Sequence, residues 1–203
     1  MPQMQSPTTW FALNGSDDFS PSGINDIRTG APLFVGGLLL GVWFDMTEQE
    51  ANDHSWTDVG ILHTGRFRRV RIHPNATAAN IRVGKVGFMA ALPIPPATIP
   101  DVNIVTTGDT AGGPIAGVRP VVFLNTVQPG NYCFIQELGI ASVMTGAGAT
   151  GAAGAGVAPP TGSGDGTVHV AAAGAASMGA FLAPASAHAL VLALLNGVPI
   201  VQG

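Results

Sequence analysis

Charge is what this chain has least of. Only 10% of its 203 residues are Asp, Glu, Lys or Arg, against about 25% in an ordinary soluble domain. A lone copy would show water an unusually apolar, patch-prone surface, so the composition favours burial of part of that surface in an assembly. Cysteine is nearly absent as well. Cys133, the single one, cannot form an internal disulfide, and it lies among Tyr132, Phe134 and Ile135 with no local base or cation to activate it. That setting reads as a small buried thiol and not a nucleophile. One Tyr and three Trp are too few for the aromatic platform expected of a sugar-binding β-sandwich.

Long apolar runs are missing too. Residues 31–44 form an apolar stretch too short to span a bilayer, with two Gly in its middle. The apolar residues 185–201 are interrupted by His188, Asn196, Gly197 and Pro199. The first ten residues, MPQMQSPTTW, lack a basic segment followed by an apolar core, so no secretory signal is expected and synthesis in a cytoplasm is.

The motifs of chemistry are wanting in the same way. The histidines at 54, 63, 73, 169 and 188 are scattered, with only Asp53, His54 and Asp58 near His63, so no metal site is expected. No phosphate-cradling G-x-x-x-x-G-K-[ST] or G-x-G-x-x-G occurs, and no cofactor is expected. Gly162, Ser163 and Gly164 lie in a Gly/Ala-rich stretch without the strand and helix that a nucleophile elbow needs. No catalytic residue is assigned, and an enzyme is the weakest reading.

The few charges that exist are sorted along the chain. Residues 1–65 hold eight acids and one base, Arg28, while residues 66–85 hold Arg66, Arg68, Arg69, Arg71, Arg82 and Lys85 with no acid. The whole chain sums to −4. Such segregation either sets register between subunits or lets the acidic segment pair with the basic one in the same chain. Arg66, Arg68, Arg69 and Arg71 are therefore the candidate contact residues, toward an acidic protein surface or the chain's own acidic segment. Strict alternation would split them between two faces, and a bulge near Arg68 and Arg69 would gather them on one. Nucleic acid fits less well, because the chain is acidic overall and no aromatic interleaves the arginines beyond Phe67.

Turn and strand signals alternate over most of the length. Residues 1–30 are polar and read as an extended arm, and 34–44 as a bent strand or a buried strand pair. Thr47 and Glu50 have capping-box spacing, which predicts a short helix over 47–55. Strands are predicted at 59–63, 66–73, 80–89, 102–106 and 121–124. A proline-rich linker is expected at 91–100 and a Gly/Pro loop at 108–117. The stretch 126–144, TVQPGNYCFIQELGIASVM, is the most informative: a Pro-Gly turn, an alternating strand, an interrupting Gly139 and a second short strand. After it come a low-complexity Gly/Ala/Pro loop at 145–166, a strand at 167–171, and residues 189–195, for which periodicity leaves strand or helix open. The expectation is a mainly β fold with little helix, a small β-barrel or β-sandwich with an extended N-terminal arm. Residues 1–60 would be that arm with accessory strands and a short helix, and 61–203 a β-rich domain with a flexible loop at 145–166.

Pro129, Gly130, Tyr132, Phe134, Ile135, Gln136, Gly139, Ala141 and Val143 follow a phrase that resembles the capsid decoration, or cement, proteins of tailed bacteriophages, with Cys133 where a glycine is common. Upstream GRFRRVRI and the downstream TVHV and small-residue runs are similar as well, so the resemblance covers about 66–203. It implies a non-enzymatic β fold, self-association with trimers favoured over dimers, and the major capsid protein as partner. It also implies a place on the outside of the virion head after synthesis in the host bacterial cytoplasm. Another virion part (head completion, tail or fibre-associated) and a surface-binding β-sandwich are the alternatives.

Overall fold

The computed structural model describes residues 43–48, 63–89, 104–107, 119–124, 126–160 and 165–201. They are mainly β, with ten strands in one sheet and a single 3-10 turn at Ala78–Asn80. The strands are β1 Trp43–Met46, β2 Gly65–Ile72, β3 Val86–Met89, β4 Ile104–Thr106, β5 Pro120–Phe123, β6 Tyr132–Met144, β7 Gly156–Ala158, β8 His169–Val170, β9 Ala176–Phe181 and β10 Leu190–Val201.

Two closed circuits of strand pairing share β6. In the first, β2 runs parallel to β4, β4 antiparallel to β3, β3 to β5, β5 to β6, and β6 back to β2. In the second, β6 pairs with β10, β10 with β9, β9 with β7 and β7 with β8. The return is made by Val168, which bridges in parallel to Thr145 at the end of β6; Val168 N–H donates to Met144 O at 2.8 Å. Closure of this kind leaves few unpaired backbone groups at strand edges.

Each circuit has its own apolar core. Val70, Ile72, Ile81, Val105, Val121, Phe123, Cys133 and Ile135 fill the first. Val143, Val157, Val168, Met178, Phe181, Val191, Ala193 and Leu195 are in the second. β5 lies between them: Val121 and Phe123 face the first core while Val122, with Val86 of β3, joins the second. All four β5 residues are buried, which is why PVVF shows no polar alternation. Pro120 sits at the first position of its strand, where a missing N–H is tolerated. Lys85, just before β3, also ties the halves, its ammonium donating to Asn80 Oδ1 at 3.2 Å and to Asp165 O at 2.6 Å.

β6 is one continuous strand of 13 residues, so Gly139 does not interrupt it as expected. Its pairing with β2 shifts register between Arg66–Leu138 and Phe67–Gln136, leaving Glu137 as the extra residue of a bulge. Gln136 Nε2 satisfies the disturbed carbonyls of Leu138 at 3.1 Å and Ile140 at 2.7 Å. Gly139 follows at φ +90°, and a Cβ there would run into Thr64 O and, at 2.6 Å, Gly65 Cα. Glycine is required because the β2 backbone approaches so closely.

Other expectations need correction. The strand expected over 80–89 is only Val86–Met89, because the 3-10 turn and a reversal at Gly84 (φ 78°) occupy the rest. Within the loop expected at 145–166 the described residues include strand: β7 forms there, and Gly151 bridges to Ala185. β9, which alternation did not indicate, lies between β7 and β10. Of residues 189–195, Leu190 onward is strand, the start of β10. The arm at 1–30, most of the 34–44 stretch, most of the helix at 47–55, most of the strand at 59–63, the linker at 91–100 and the loop at 108–117 lie outside the described residues.

Gly139→Ala should lose about 2–4 kcal/mol, from the strained backbone together with the clash against β2. Gly130→Ala, at φ +84° but with nothing within 4 Å, should lose only about 1–2 kcal/mol, the backbone term alone. Urea denaturation of both variants checks the contrast, and equal losses would refute the close-approach account.

Candidate interaction site

The arginines of β2 have partners within the chain. Arg66 lies directly across from Asp45 of β1 and grips it with two bonds, Nε to Oδ1 at 2.8 Å and Nη2 to Oδ2 at 3.1 Å. Arg71 Nε donates to Gly130 O at 3.2 Å and so holds the Pro129–Gly130 turn. Arg68 reaches the carboxylate of Glu137 with Nη1 at 3.2 Å. Arg69 occupies the register position opposite Phe134, and its side chain lies outside what is described. Of the two ways the charges could be used, pairing of an acidic segment with the basic strand inside one chain is what Asp45 and Arg66 do.

Glu137 is the electrostatic centre of this region. Its side chain is 0% exposed, yet three donors from three parts of the fold converge on it. Arg68 takes one oxygen, while the other accepts from Arg119 Nη1 at 2.8 Å and Trp43 Nε1 at 3.0 Å. Arg68 also stacks over Trp43, 4.9 Å from the ring centroid, a cation–π contact that covers the apolar face of the indole. An isolated carboxylate could not be held in that place, because desolvation of an unpaired charge costs several kcal/mol. The bulge is what aims Glu137 at the arginines, and Glu137 is what fastens β1 to β2 and to the segment before β5.

β1 is secured at its other end by Glu48. Its Oε2 accepts Thr64 N–H at 2.9 Å, and its Oε1 lies 3.0 Å from His63 Nδ1. The Thr64 amide, with help from His63, lowers the Glu48 pKa, and the Arg66 hydrogen bonds lower that of Asp45. Beside them a shallow, open depression of about 280 Å³ is lined by Asp45, Thr64, Gly65, Arg66, Leu138 and Gly139. Among the described residues no group of three or more His, Cys, Asp or Glu could hold a metal ion. Asp53, His54 and Asp58 lie outside those residues. Cys133 is a free, buried thiol in the first core.

Sequence reasoning found the arginines but missed Glu137, Trp43 and Arg119. One signal was present: Glu137 is a lone acid in the apolar phrase CFIQELGI, and a charge in a buried strand demands partners.

Removing the buried carboxylate leaves Arg68 without its anion, so Glu137→Gln should cost about 3–5 kcal/mol. Arg119→Ala takes one donor from a fully buried carboxylate while Arg68 and Trp43 remain and should cost less, about 1–3 kcal/mol; calorimetric melts of the two proteins check the order. The acid response has a definite sign. Depressed carboxylate pKa values add stability that is present above the ordinary values, 3.8 for Asp45 and 4.5 for Glu48, and lost as pH falls below them. Thermal melts should therefore show a modest loss of stability on acidification through this range, as befits exposed pairs. An Asp45→Asn, Glu48→Gln protein with an unchanged acid response would contradict this.

No family model matches the chain, and no curated protein does. Among solved structures, it is similar to the N base of the head fibre gp8.5 of bacteriophage phi29, at 14% identity and a TM-score of 0.40, over 66% of this chain and 96% of that one. A likeness at this level fixes neither fold nor function.

Proposed function

We propose that the chain is a structural protein of a phage virion, one that decorates and stabilises the head by binding the outer surface of the major capsid protein lattice. The observation that carries the reading is where the decoration-like phrase falls. Pro129 and Gly130 make the turn into β6, with Gly130 at φ +84°. Gln136 and Gly139 build its bulge, and Ala141 and Val143 pack the second core. The phrase thus specifies the strand that both circuits share, so the resemblance concerns the scaffold as a whole and not an ornamental loop. Low charge supports the same reading, since surface that an assembly covers needs little charge to stay soluble.

In this reading the chain performs no covalent chemistry and uses no cofactor. Binding would draw on apolar burial, with charged groups placing the contact. Arg66, an ion-paired β2 arginine whose side chain is 42% exposed, is the one of the four assigned to that contact. Quantitative mass spectrometry of purified particles tests the proposal by counting copies of this chain per major capsid protein. A ratio near one, or a simple lattice fraction, is expected. About a dozen copies or fewer would assign it to a connector, tail or fibre part, and absence from particles would overturn the virion reading.

A further inference from the structure

Leucines gather on the outer face of β9, β10 and β6. Along β10, Val191, Ala193 and Leu195 enter the second core, which sends Leu190, Leu192 and Leu194 to the opposite face. The register sets their neighbours. Leu190 lies across from Met144, Leu192 from Ser142 and Leu194 from Ile140 on β6. On the other side Leu194 lies across from Ala180, and Leu182 N–H donates to Leu192 O at 2.8 Å. Residues directly opposite on antiparallel strands share a face. The result is three adjoining rows with no charged residue in them. Leu182, Leu190 and Leu194 remain 44%, 49% and 43% exposed. Among the described residues the other large hydrophobic this exposed is Trp43, whose indole is already engaged by Glu137 and Arg68.

We propose that this face joins two copies of the chain about a twofold axis. The inference stands on the face alone and does not rest on the virion reading. Charge selects the occupant: a partner presenting ions would have to strip them of water against leucine, whereas a second copy of the same face presents none. Symmetry selects the number. A twofold contact uses one patch that matches itself, while a ring needs two different patches that match each other, and the described residues expose one apolar face. This departs from the trimers that the family resemblance implies. Shape agrees, since sheet faces pack about 10 Å apart with interleaved side chains. Three strands and three rows make an apolar centre of roughly 200–300 Å², suited to the dry middle of an interface of about 800 Å² per partner. The patch is also held in place: a Cβ on Gly84 would collide with Leu190 Cδ2, so Leu190 rests against that turn.

Sedimentation velocity of the full chain from about 1 to 100 μM should show a species of twice the chain mass, as expected for a moderate interface. Leu194→Glu should weaken association at least tenfold while leaving the circular dichroism unchanged. Leu192→Cys, in the middle row, should form a disulfide between copies under mild oxidation, with buried Cys133 silent. If Leu194→Glu fails to fold, the Leu192→Cys crosslink decides. A wild-type monomer at 100 μM, a species of three or more chains, a dimer that folded Leu194→Glu leaves intact, or absence of the crosslink would each overturn the proposal.

Discussion

The molecule depends on one strand keeping both edges hydrogen-bonded while its side chains serve two cores. β6 gives one edge to β2 along most of its length and the other first to β5 and then to β10. Cys133 and Ile135 enter the first core, and Ala141 and Val143 the second. A regular strand twists too evenly to change neighbours in mid-course. The bulge at Glu137 and the left-handed Gly139 provide the local irregularity that lets it do so, and Gln136 satisfies the carbonyls they disturb.

That irregularity places a carboxylate where it has no water, and the electrostatics follow from it. Arg68, Arg119 and Trp43 converge on Glu137 because anything less would leave a buried ion short of donors. The contact then fastens β1, a strand of only four residues. Asp45–Arg66 and Glu48–Thr64 add weaker, exposed attachments whose worth is modest in water. β1 is thus secured by its backbone pairing with β2 and its link to the buried charge, and only marginally by its solvent-facing pairs.

What could be read in the sequence was what local chemistry decides. GRFRRVRI, PVVF and the 126–144 phrase are rich in β-branched and aromatic residues bounded by turn residues, and they became β2, β5 and β6. ASMGAF, which became β9, offers mostly small side chains and no alternation, so only its neighbours β7 and β10 make it a strand. LVLALL is equally apolar as helix or strand, and pairing with β6 settled it. Residues 145–160 look like a loop by composition, yet Thr145, at 0% exposure, anchors their start through Oγ1 to Ala189 O at 3.0 Å. The Glu137 cluster joins residues up to 94 positions apart, a distance at which neither periodicity nor motif spacing carries information.

The pairing of β2 with β6 also has a consequence in time. Each β2 residue finds its partner 61 to 74 positions later in the chain. At synthesis rates of about 5–20 residues per second, β2 waits roughly 3–15 seconds for that partner to be made. An apolar strand left open so long would pair with whatever nascent copy lay nearest. Four arginines in eight residues make two such strands repel one another, and charged side chains are a standing defence against edge-to-edge pairing. The basic strand is then a safeguard during biogenesis, discharged once Glu137 arrives to join Asp45 in neutralising it.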